Sequence, residues 1–197
     1  MRNILYVFML LFVFSSVQAD AAENGPTDAL RPVLNGLMEI LADESLKGEK
    51  HLVQRRTEIM TTIEIGFNFR EMSKRVLGKA WRTIDEQQKD YFTEQMTKLL
   101  ENVYVGKLER YSDQSVEFVA EKIKGNRAQV TTFLVDQGIK LPVHYIMKEA
   151  GGRWMVYDIN IEGVSLVRNY QQQFKSILRK EKFEGLIKVL EKKNKSF

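Results

Sequence analysis

Apolar residues recur along this chain with two different periods, and the change of period divides it. Leu30, Val33, Leu34, Leu37 and Leu41 share one helical stripe, which predicts a helix capped by Thr27 or Asp28 and broken by Gly48. A second helix is predicted over about residues 49–64, with Leu52, Val53, Ile59 and Ile63 as its apolar positions and Gly66 at its end. Asn68 can cap a short helix carrying Met72, Val76 and Leu77, which Gly78 stops. Thr83 and Glu86 have capping-box spacing. Beyond them Phe92, Met96, Leu99, Leu100, Val103 and Leu108 form one stripe, predicting a long helix to about Arg110.

From Ser115 the period falls to two. SVEFVAEKIK, RAQVTTFLVD, IKLPVHYIMKEA and RWMVYDINI, separated by Gly125-Asn126, Gln137-Gly138 and Gly151-Gly152, predict four strands joined by tight turns, hence an antiparallel meander. In the third strand Ile139, Leu141, Val143, Tyr145 and Met147 alternate against Lys140, Pro142, His144, Ile146 and Lys148. One face is therefore core, and Pro142 marks a bulge or an edge. In the fourth, alternation places Met155, Tyr157, Ile159 and Ile161 on one face and Trp154, Val156, Asp158 and Asn160 on the other. After Gly163 the helical period returns with Val164, Val167, Tyr170, Phe174, Ile177 and Leu178, and a last amphipathic piece carries Phe183, Leu186, Ile187 and Leu190. Helices over about 27–110, sheet over about 115–161 and helices over about 164–193 predict the α+β class.

The N-terminus adds a compartment. Arg2 precedes an unbroken apolar run from Ile4 to Phe14, and Ala19 and Ala21 offer cleavage sites, as in a signal peptide covering residues 1–21. The run is too short for a spanning helix. Residues 22–197 are then expected to form a single exported domain, periplasmic in a bacterium. With no Cys among the 197 residues, disulfides, thiol catalysis and thiolate metal sites are excluded. The net charge of +4 is mild, but Arg168, Lys175, Arg179, Lys180, Lys182, Lys188, Lys192, Lys193 and Lys195 outnumber the acids of the last segment. Such a face suits lipid headgroups or an acidic partner. Without interleaved aromatics it does not point to nucleic acid.

Catalytic motifs are weak. Ser165 lacks the second glycine of a nucleophile elbow. The two histidines, His51 and His144, have no metal-ligand spacing. Asp158, on a strand beside Tyr157, could serve as an acid/base in a cone-shaped pocket, or could simply be satisfied by backbone N–H groups, Arg153 or Arg168 at the strand-to-helix corner. Large apolar side chains such as Phe118, Phe133, Tyr145, Met147, Trp154 and Met155 fill a core or line a cavity, and periodicity does not separate the two.

Three blocks, FNFREMSKRVLGKAWRT, LLENVYVGKLERY and RWMVYDINIEGVSLVRNYQQQF, resemble the MlaC family of toluene-tolerance or ABC-transporter auxiliary proteins, periplasmic phospholipid-binding carriers. Where the family commonly reads Phe-Asp-Phe, this chain has Phe67-Asn68-Phe69, and Asn caps a helix about as well. The resemblance spans about residues 30–190. It implies a curved four-stranded sheet akin to nuclear transport factor two, wrapped by helices around an apolar lipid cavity. It also implies a non-enzymatic shuttle without cofactor or metal that exchanges phospholipid between an outer-membrane lipoprotein complex and the MCE-domain subunit of an inner-membrane ABC transporter, maintaining outer-membrane lipid asymmetry. On this reading Leu100, Val103 and Tyr104, with Val156, Tyr157, Ile159, Val164, Val167, Tyr170 and Phe174, line or support the cavity. A periplasmic adaptor without ligand and the Asp158 enzyme are the alternatives.

Overall fold

A computed structural model describes residues 25–106 and 114–197. The leader, its cleavage sites and the end of the long helix near Arg110 lie outside the described residues. Helix α1 (Pro26–Ala42) starts on Gly25 with Pro26 at its first position and Asp28 accepting the Gly25 N–H. The cap is thus Gly25, two to three residues before Thr27 or Asp28, which lie inside the first turn, because proline's missing N–H costs nothing there. Two 3₁₀ turns around Gly48 lead to α2 (Leu52–Gly66). A methyl group on Gly66 would meet Val33 Cγ2 at 2.7 Å, so glycine there lets α1 and α2 close on each other.

Asn68 caps α3 (Phe69–Leu77), its Oδ1 accepting the Glu71 N–H at 2.8 Å, and Gly78 ends the helix at φ 55°. Helix α4 (Glu86–Leu100) begins two residues later than the Thr83–Glu86 box predicts. Asp85 and Gln88 form the reciprocal pair instead, with Gln88 N–H to Asp85 at 2.8 Å and Asp85 N–H to Gln88 at 3.1 Å. Thr83 has turned its hydroxyl to the carbonyl of Ala80. After Leu100 the helix widens into a π-helical turn, Glu101–Val105.

The sheet has five antiparallel strands in the order β1-β2-β3-β4-β5, not four: β1 (Ser115–Lys124), β2 (Arg127–Asp136), β3 (Ile139–Ala150), β4 (Arg153–Ile161) and β5 (Val164–Ser165). The added strand is two residues long, held to the end of β4 by the turn at Glu162 and Gly163, both at positive φ. Pairs such as Val130 with Tyr145 and Thr132 with Val143 put the apolar side chains of β2 and β3 on one face. Pro142 lies on an interior strand, one residue past the last pair that β3 makes with β4, where β3 has a neighbour on one side only. Ile139, beside the β2–β3 turn, is 73% exposed rather than part of the core face.

Strict alternation fails in β4. Met147 pairs with Val156 and Ile146 with Asp158, so Tyr157 is an extra residue in a bulge. The slip puts Val156 on the same face as Ile159 and Ile161, next to Tyr145 and Met147, and turns Tyr157 out of that row. A second slip falls between Phe118 and Ala120 of β1.

Helix α5 (Leu166–Asn194) covers both predicted C-terminal pieces but is interrupted at Lys182, whose φ of 62° and ψ of −164° are not helical. Two cores result. Helix α1, Ile59 of α2 and the inner sheet face make the first; α3, α4 and both halves of α5 make the second around Phe92, Met96, Leu99 and Leu186. Among the described residues no helix is long and apolar enough to cross a membrane.

Candidate functional site

The first core does not close on itself. Between the inner face of the sheet and the helices lies a cavity of about 360 Å³, within the size range of small-ligand sites. Helix α1 contributes Leu34, Leu37 and Met38, and α2 contributes Met60 and Ile63. Phe67, Phe69 and Met72 come from the α2–α3 junction, with the two phenyl rings stacked 6.3 Å apart. The sheet supplies Val116, Thr132, Leu134, Leu141, Val143, Tyr145, Ile159 and Ile161, and Leu100, Glu101, Tyr104 and Leu166 complete the wall. Three methionines in such a wall give it a deformable, polarisable surface that adapts to a flexible apolar occupant.

Polar atoms in the wall are mostly committed to one another. Thr132 and Tyr145 share a hydrogen bond, and burial pushes the Tyr145 phenol up to about 12. Burial likewise raises Tyr170, behind the wall, and its hydrogen bond with Tyr104 raises it further. Both phenols stay neutral at physiological pH. Glu101 is the exception: a half-buried carboxylate on the π-helical turn.

Of the ten positions expected around a ligand, Leu100, Tyr104 and Ile159 border this cavity. Val156 is fully buried just behind it, its carbonyl accepting the Asn68 N–H at 2.8 Å. Tyr157 faces away, because the bulge turns it toward α3, where the Arg75 guanidinium lies 3.9 Å over its ring and is itself held by Glu71. Val103, Val167, Tyr170 and Phe174 belong to the helical core, where Phe174 packs on Tyr170 and Phe92. Val164 is 55% exposed on β5. Tyr145 of β3 was named from the sequence as a possible cavity residue, but the wall positions from α1 and α2 were not. Their signal was present in Met38 and Met60, apolar residues in excess of the stripe read for each helix.

Asp158 is not in the wall. Its carboxylate accepts the Ser165 hydroxyl at 2.6 Å and the Val167 N–H at 3.0 Å, while Ser165 Oγ accepts the Arg168 N–H at 3.1 Å and so caps α5. Neither arginine reaches Asp158; Arg153 donates instead to the carbonyl of Ile65. This is a corner in which each polar atom fixes the strand-to-helix turn, with Ser165 as a cap rather than a nucleophile. His144 lies on the outer face of β3, its Nδ1 3.0 Å from the Thr131 hydroxyl.

Comparison with known proteins gives consistent matches. The family model described as MlaC protein matches residues 31–192. The chain is 22% identical to the intermembrane phospholipid transport system binding protein MlaC of Haemophilus influenzae, over 90% of this chain and 86% of that protein. The solved structure of a phospholipid-binding protein from Ralstonia solanacearum, in complex with a phospholipid, superimposes with a TM-score of 0.80 at 20% identity, covering 88% of this chain and 98% of the other.

Proposed function

Because the chain belongs to the MlaC family, we propose that it is a periplasmic phospholipid carrier that holds acyl chains in the cavity between α1, α2 and the sheet. The observation that carries this reading is the composition of that wall: three methionines, two phenylalanines and thirteen other aliphatic or aromatic residues, with only Thr132 and Glu101 besides and with its hydroxyls paired. Transfer of each methylene from water into such a space is worth about 0.8 kcal/mol, so ten methylenes supply roughly 8 kcal/mol. No covalent chemistry is needed for that. A headgroup left at the mouth keeps its hydration and can be handed to another membrane protein.

The carrier would be exported by its leader, accept or deliver phospholipid at an outer-membrane lipoprotein complex, and exchange it with the MCE-domain subunit of an inner-membrane ABC transporter, so maintaining outer-membrane lipid asymmetry. Support for docking comes from α5 and its C-cap, where Arg168, Lys175, Arg179, Lys180, Lys182, Lys188, Lys192, Lys193 and, at the cap, Lys195 are all exposed. A basic face of this kind speeds association with an acidic partner surface or an anionic membrane.

Mass spectrometry of organic extracts from the protein, exported by a bacterial host and purified without detergent, tests the reading. About one phospholipid per chain is expected. Folded protein free of lipid would contradict it.

A further inference from the structure

Glu101 is the one carboxylate among the residues that line the cavity. Glu71 is bonded to Arg75, Glu86 to Arg70 and Lys89, Glu117 to Lys140, and Glu121 accepts the Thr27 N–H. The Glu101 carboxylate has no hydrogen bond or ion pair with any described residue, although the residue is half-buried and borders an otherwise apolar cavity. An ionised carboxylate tolerates such a place only where water or a polar partner reaches it, and its oxygens are not sealed from solvent. Glu101 therefore marks the wet end of the cavity. The backbone there is a π-helical turn, a conformation that stays rare unless a local role retains it. The turn holds Glu101 and Tyr104 at the same wall, and Tyr104 is already engaged with Tyr170.

We propose that Glu101 is a specificity-determining residue that selects lipids whose headgroup carries an ammonium, a zwitterionic amine class, over lipids with a net anionic headgroup. The inference rests on the lipid-carrier reading and adds the ligand class. With acyl chains against the sheet, the headgroup emerges beside Glu101. An ammonium pairs with the carboxylate there, whereas an uncharged polyol headgroup leaves the lipid phosphate facing a like charge with no compensation. At a half-exposed site such a pair discriminates by about threefold to fivefold.

The test is competitive loading of the full mature protein from vesicles containing equimolar phosphatidylethanolamine and phosphatidylglycerol, with bound lipid counted by mass spectrometry. The wild type should take up the ethanolamine lipid in about threefold excess or more, falling to about parity in E101Q and below parity in E101K. In the wild type the excess should also fall toward parity at about 1 M salt, where the Debye length is about 3 Å. Equal uptake of the two lipids by the wild type overturns the proposal while leaving the carrier reading intact. So does a preference that survives both in a folded E101Q and at high salt; should E101Q not fold, persistence of the preference at high salt decides alone. Absence of either lipid from the folded wild type overturns the carrier reading and this proposal together.

Discussion

Asp158 illustrates how a residue with catalytic potential is consumed by structure. Its two oxygens receive one hydroxyl and one backbone N–H across the β4–β5–α5 corner, leaving it a local fastener rather than a base. Replacing it with alanine orphans the Val167 N–H and frees Ser165, so Asp158→Ala should lower stability by about 1–2 kcal/mol in urea unfolding with bound lipid per chain unchanged. Loss of lipid from a folded D158A protein would mean that the corner acts on the ligand. Tyr145 offers a residue-scale test in pH. Its pKa is raised to about 12 by burial, above the unfolded value near 10. Between those values the native state keeps a proton that the unfolded chain has lost. Its contribution is therefore complete below about pH 10 and disappears as pH rises through about 12, at roughly 1.4 kcal/mol per unit. Urea titrations from pH 9 to 12 should show a steeper alkaline loss of stability in wild type than in Tyr145→Phe.

Elements were legible wherever the local code was self-sufficient. The Leu30–Leu41 stripe, the Asn68 cap, Gly78 and the three glycine turns are decided by short-range chemistry, and the structure uses them as the sequence predicts. Competing signals a few residues apart were less decidable: Thr83-x-x-Glu86 and Asp85-x-x-Gln88 satisfy the same rule, and the chain uses the second while Thr83 bonds the carbonyl of Ala80. The Tyr157 bulge was illegible for a different reason. Neither Val156 nor Tyr157 is out of place in a strand with apolar residues on both faces, so nothing local announces a shift of register. That slip turns Tyr157 away from the cavity, while Val167, Tyr170 and Phe174 of the α5 stripe pack into the helical core with α3 and α4. The break in α5 has a sharper consequence. Lys182 occupies a backbone region that is essentially reserved for glycine. Lys182→Gly removes that strain at the cost of a more flexible unfolded chain, and a net gain of about 1 kcal/mol is expected in chemical denaturation. A loss of stability would mean that the lysine stem packs in a way that outweighs its backbone strain.

At the scale of the molecule, one sheet serves a cavity while the helices beside it make a conventional core. Helices α3, α4 and α5 bury Phe92, Leu99 and Leu186 completely, and this solid half can hold the fold while the space between α1, α2 and the sheet stays unfilled by side chains. Sequence periodicity reports which face is apolar, not whether the opposing faces touch. The helical core and the cavity wall accordingly carried the same signature. The family resemblance supplied the expectation of a cavity, and the geometry moves its proposed wall from α5 toward α1, α2 and β3. Met60 separates the two possibilities, since it is partly buried, borders the cavity and packs only at the edge of the first core. The decisive measurement is bound phospholipid per chain, by mass spectrometry, for the wild type and Met60→Trp, each exported, purified without detergent and checked for a cooperative unfolding transition. About one lipid per wild-type chain is expected, with a several-fold loss in a folded M60W protein, whose indole occupies the space the acyl chains need. Undiminished lipid in folded M60W would contradict this wall and place the ligand elsewhere.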